Sequence, residues 1–139
     1  GDTLRYTITV KNIGTGDGVN VILRDAIPVN TTYVAGSTTL NGGAVADVAG
    51  ASALVTGLPI DSPANATLGL MPADASTNPA NVATITFNVV VNANVAEGTV
   101  ISNQGFVSTT GIADTPPKMA LSLSTSSGTP SWAVLTAFE

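Results

Sequence analysis

The chain has 139 residues, enough for one domain or for one domain with a tail. Only 9% of residues are charged while 44% are hydrophobic and 4% aromatic, and four basic residues against nine acidic ones leave a net charge of −5. With neither Cys nor His present, disulfides, thiolate or imidazole metal sites and Cys- or His-dependent catalysis are excluded, and the acidic balance argues against a nucleic-acid partner.

Period two dominates from the start. In TLRYTITVKN, Leu4, Tyr6, Ile8 and Val10 alternate with Arg5, Thr7, Thr9 and Lys11, which predicts a half-buried strand. Gly14-Thr15-Gly16-Asp17-Gly18 breaks it, VNVILRD forms the next strand, and Pro28 bars its continuation because proline has no N–H to donate. Residues 31–34 and 37–40 read as two short strands around Ala35-Gly36, followed by the turn signal Asn41-Gly42-Gly43. Residues 41–81 are rich in Ala, Gly, Asn, Ser and Pro and read as an irregular insertion, its apolar pieces 53–55 and 68–71 being short strands or packed loop. In NVATITFNVVVN, Ala83, Ile85, Phe87, Val89 and Val91 face one way; the segment TVISNQGFVST reads as its hairpin partner, with Ile101, Asn103, Gly105 and Val107 on the core face.

Short strands joined by Gly, Asn and Pro turns predict an all-β fold, an antiparallel β-sandwich of about seven to nine strands. The sandwich is expected to occupy residues 1–112. Residues 113–139 are expected to be a linker, opened by Pro116-Pro117, and a C-terminal tail: a donor strand, an extension strand or the start of a following domain. No apolar run approaches the roughly 20 residues of a membrane-spanning helix, and the opening Gly1-Asp2-Thr3 has no leader character, so the chain is expected to be mature or a fragment.

Two stretches together resemble a known family. GDTLRYTITVKNIGTGDGVNVILRDAIPVNTTYVAGS carries Gly1, Asp2, Tyr6, Ile8, Val10, Asn12, Asp25, Ile27 and Pro28 at the pattern positions of the conserved-repeat domain of unknown function found in bacterial and archaeal surface proteins. ATITFNVVVNANVAEGTVISNQGFVS is similar to that family's closing hairpin, with Gly98, Ile101, Asn103 and Val107 in place. The resemblance covers about residues 1–110 and is weak over 41–81. It implies an immunoglobulin-like sandwich in an extracellular or cell-surface setting in a prokaryote, often as one module of a longer chain, and it implies no catalysis. The closing AVLTAFE resembles the opening of a following β-domain of such proteins.

Candidate chemistry is sparse. The acids are scattered and lack the alternating carboxylate spacing of a calcium loop, with Asp17 and Asp25 the nearest to such a role. No Ser-x-x-Lys motif exists. A Lys–Asn isopeptide crosslink would have to join Lys11 to Asn103, yet the alternation points Lys11 outward and Asn103 inward. Tyr6, Asp25, Pro28, Phe87 and Asn103 are read as structural, Asn103 as a buried amide bonded to backbone. Asn30-Thr31-Thr32 and Asn65-Ala66-Thr67 are candidate N-glycosylation sequons at Asn30 and Asn65. Tyr33 and Phe106 are unplaced by pattern. The tail holds the self-assembly candidates: Leu121 and Leu123 on one face of MALSLS, and Trp132, Val134 and Phe138 on one face of WAVLTAF with Leu135 on the other.

The expected role is a non-enzymatic building block of an extracellular or cell-surface assembly, a filament subunit or stalk module, whose partners are copies of itself, joined by strand donation, or neighbouring modules of a longer chain. The alternative is an adhesin module binding glycans or another ligand. No cofactor or metal, no nucleic-acid partner and no membrane span are expected.

Overall fold

A computed structural model describes residues 1–65, 67–74, 78–110, 118–126 and 134–138. In chain order these form β1 (Thr3–Asn12), β2 (Val19–Asp25), β3 (Thr31–Tyr33), β4 (Thr39–Leu40), β5 (Gly43–Ala44), the short helix α1 (Ala53–Thr56), β6 (Leu58–Pro59), a 3-10 turn (Pro79–Asn81), β7 (Val82–Val91), β8 (Gly105–Thr110), β9 (Met119–Ser126) and β10 (Val134–Phe138). The larger sheet runs β10-β9-β1-β7-β4-β5, with β3 also on β7; the smaller runs β6-β2-β8, and every pairing is antiparallel.

The alternation read in β1 and β7 becomes a row-by-row core. Leu4 faces Val89, Tyr6 faces Phe87, Ile8 faces Ile85 and Val10 faces Ala83, all buried. The opposite edge of β1 carries β9 in the same rows, Leu123 beside Ile8, Leu121 beside Val10 and Met119 beside Asn12. The smaller sheet closes over them with Val21, Leu23 and Val107, and 41–81 adds Leu54, Ile60 and Met71. Each such side chain contributes about 1.5–3 kcal/mol by leaving water.

Three sequence expectations change here. The segment read as tail is in part the sandwich itself: β9 is an inner strand of the larger sheet, and its Met119, Leu121 and Leu123 are fully buried in the chain's own core. The expected boundary near residue 112 therefore cuts through the structure. The hairpin expected between β7 and the following strand does not form. β7 pairs with β1 over nine residues, while β8 crosses to the other sheet and pairs with β2. Residues 92–104 span the gap between the sheets, far longer than the two-to-five-residue loops of hairpins. Of the two pieces read as short strands or packed loop, 53–55 lies in a single helical turn capped by Ser52, and 68–71 is loop closed by a lone bridge from Met71 to Gly18. Among the described residues ten strands form the antiparallel all-β fold expected, several of them only two or three residues long.

The Asn41-Gly42 turn works as read. Both residues have positive φ, 51° and 84°, and they join β4 to β5 with Thr39 opposite Ala44 and Leu40 opposite Gly43. Such a two-residue loop suits Asn-Gly because its twist matches that of the strands it joins.

Candidate functional site

Asp25 is a buried acid at the end of β2, its last residue paired to β8, three positions before Pro28. It is 1% exposed, and its Oδ2 accepts a hydrogen bond of 2.8 Å from Asn103 Nδ2. Burial pushes the Asp25 carboxyl up to about 7, the Asn103 bond pulling weakly the other way. Tyr6, stacked on Phe87 with centroids 5.2 Å apart, has its hydroxyl raised by burial and by the Asp25 charge. Among the described residues Tyr6 Oη and Asp25 Oδ1 are both buried without a hydrogen-bonding partner, and burial of the Asp25 carboxyl away from water favours the neutral acid.

These residues stand where the sequence reading put them, Tyr6, Phe87 and Asn103 inward, but Asn103 bonds a carboxyl rather than backbone. The bond ties the end of β2 to the crossing segment before β8. A concavity of about 320 Å³ opens beside it between Pro28, Val29, Ser102 and Asn103. Next to that lies a larger groove of about 780 Å³ lined by Asp2, Val91, Asn92, Glu97 and Val100.

The arrangement holds and releases a proton near neutral pH, and it places no lysine at the pair. Lys11 sits half-exposed opposite Val82, on the other face of β1 and five positions beyond Tyr6, roughly 16 Å along the strand. Geometry therefore separates the Lys11–Asn103 pair weighed as a crosslink. Asp17 and Asp25 are likewise apart: Asp17 Oδ1 accepts from the Ala73 N–H at the far pole. Among the described residues no cluster of three or more His, Cys, Asp or Glu is placed to hold a metal.

Leu121 and Leu123 are spent on the core, which removes them as free self-assembly surface. The backbone of Val134, Leu135 and Phe138 lies in β10, opposite Leu123, Ser122 and Met119. Trp132 lies outside the described residues. Phe106 is half-exposed on the outer face of the smaller sheet, across from Arg24, and Tyr33 is half-buried with its hydroxyl on Asp47 and Thr38.

Sequence reasoning missed the polar anchors. Asn12 is buried and uses its whole amide: Nδ2 donates to the carbonyls of Gly16 and Met71, and Oδ1 accepts from the Gly14 and Lys118 N–H groups. One side chain thereby ties the glycine-rich turn, the insertion and the entrance to β9. Asn41 similarly joins Asp61 to Thr84. Ser52, Thr38, Tyr33 and Asp47 form a chain of hydrogen bonds of 2.8, 2.9 and 2.7 Å. Parity gave one available signal, since Asn12 continues the inward series 4, 6, 8, 10.

Comparison with protein-family models, with curated proteins and with solved structures finds no match for this chain.

Proposed function

We propose that this chain is a non-enzymatic, immunoglobulin-like building block of an extracellular or cell-surface assembly in a prokaryote, related to the conserved-repeat domains it resembles. The observation that supports the reading is the order of the larger sheet, which ends on β10 with β9 and β1 behind it. An open sheet edge can pair with a strand of another copy, a contact that runs on as a line when it does not close a ring. The low charge agrees, because copies in contact repel little.

Strand donation in this reading falls to β10, the last strand of the larger sheet, whose outer backbone edge has no partner among the described residues. Phe106 is the aromatic side chain shown as exposed, and a single one makes no cluster of the kind the glycan-binding alternative calls for.

Negative-stain microscopy and light scattering of the protein isolated from the cells that make it test the proposal. Fibres or extended stalks are expected; compact single particles overturn it. Deleting residues 127–139 is expected to leave β9 seated and to abolish assembly, and an assembly that survives rules out the β10 edge.

A further inference from the structure

The two sequons are chemically alike in sequence and unlike in the fold. Asn65 is half-buried and fully engaged: Nδ2 donates to the carbonyls of Thr67 and Leu70, and Oδ1 accepts from the Thr67 N–H. Both amide hydrogens thus point at backbone. A sugar replacing either one would put its anomeric carbon where a carbonyl oxygen already sits, and would release the turn that Asn65 closes.

Asn30 is the opposite case. It is exposed, sits at φ 69° in the turn between Pro28 and β3, and its side chain makes no hydrogen bond among the described residues. Asn tolerates this left-handed backbone better than most residues. The turn is held without its amide: Thr31 N–H and Oγ1 both donate to the Pro28 carbonyl, and the Asn30 carbonyl accepts from the Asn92 N–H. Two positions on, in the middle of β3, Thr32 is also exposed, its Oγ1 donating to Asn92 Oδ1 at 2.7 Å. The sequon's acceptor residue and its hydroxyl residue are therefore both at the surface. Beside them Val29 is 80% exposed, apolar surface that a glycan would cover.

We infer that Asn30, and not Asn65, is an N-glycan acceptor, taking an oligosaccharide from a phosphate-linked glycosyl donor. Nδ2 attacks the anomeric carbon, the C1–O bond to the donor phosphate breaks, the phosphate leaves as an anion, and the amide gives up one proton as the C1–N bond forms. No oxidant or reductant enters. The inference rests on the surface setting proposed above in so far as glycosylation happens in the producing cell, so the test has a second arm free of it.

In the first arm, protein is recovered from the cell-surface fraction and its proteolytic peptides are weighed. The Asn30 peptide is expected to carry one glycan increment, lost in Asn30→Asp and Thr32→Ala, kept in Thr32→Ser and Thr67→Ala. In the second, the purified unmodified chain is incubated with an oligosaccharyltransferase and a lipid-diphosphate-linked oligosaccharide, and is expected to gain the same increment at Asn30. Recovery only from inside the cell would count against the surface setting, with the second arm still deciding the site. Surface protein with bare Asn30, an increment that survives Asn30→Asp, or modification at Asn65 in the second arm overturns the assignment.

Discussion

The larger sheet and the 41–81 segment are held in different ways. In β1, β7 and β9 the side chains register in rows, Ile85–Ile8–Leu123 and Ala83–Val10–Leu121, and burial does the holding. The segment offers few such rows. It lies on the sandwich through Asn12 to Met71, Asn41 to Asp61, and the Ser52–Thr38–Tyr33–Asp47 chain, with Leu54, Ile60 and Met71 as its apolar share. Burial is additive and non-directional, whereas a buried polar bond is all-or-none because its stranded partner bears the cost. The same length of chain is therefore fixed either by many interchangeable contacts or by a few irreplaceable ones.

The largest expected effect is on the rows. Leu121→Ala removes a fully buried side chain between Val10 and the smaller sheet and is expected to cost about 2–5 kcal/mol in urea unfolding. A loss under about 1 kcal/mol would show that β9 is not part of the chain's own core and would reopen the tail reading.

Asp25 is the polar exception inside the frame. Its carboxyl is raised from 3.8 to about 7, so between those values the native protein keeps a proton the unfolded chain has released. Stability is then complete in acid, falls as pH rises through that window at up to about 1.4 kcal/mol per pH unit, and levels off above it. Asp25→Asn keeps an acceptor for the Asn103 amide and removes the charge. It is expected to be the more stable protein at pH 8 and to lose this slope, measured as the difference between the two unfolding curves; an unchanged difference from pH 4 to 8 contradicts the buried neutral acid.

Asn12→Ala removes four hydrogen bonds at once, from the N–H groups of Gly14 and Lys118 and to the carbonyls of Gly16 and Met71, the last keeping the Gly18 N–H, an expected loss of about 2–3 kcal/mol. Hydrogen exchange is expected to quicken in the glycine-rich turn, around Met71 and at the start of β9 together. Loosening in only one of the three would mean that the side chain is a local turn residue and no junction.

How much of this was legible follows the same division. Alternation located β1, β2, β7 and β8 and the inward faces of Tyr6, Phe87 and Asn103, because period two is a property of each strand by itself. Pairing is a property of two strands, and alternation carries no partner label; hence alternation alone does not tell that β8 belongs with β2 rather than its chain neighbour β7, or that β9 belongs inside the sheet. The rows record that choice, with Leu121 and Leu123 of β9 seated beside Val10 and Ile8 of β1. The anchors of 41–81 are mostly Asn41 and Ser52 with Asn12 and Thr38 of the frame, residue types so common in this chain that composition hides the buried ones. At the sequons the motif alone could not tell a free amide at Asn30 from the engaged one at Asn65.

The smallest effect separates the two kinds of holding most cleanly. Ser52 Oγ accepts from the Leu54 N–H at 3.3 Å as the cap of α1 and bonds Thr38 Oγ1 at 2.8 Å. Ser52→Ala removes both while leaving every apolar row intact, at an expected cost of about 1 kcal/mol. Thr38 keeps Tyr33, so its hydroxyl is not orphaned and the damage stays local. The amides of Val55 and Gly57, which bond the carbonyls of Ser52 and Ala53, are expected to exchange several-fold faster while those of β1 and β7 keep their protection. If β1 and β7 exchange faster by the same factor, the segment and the frame unfold as one unit and the polar anchors are no more local than the rows. If neither changes, Leu54 and Ile60 hold the segment by burial alone, and the distinction between the two regions fails at its weakest joint.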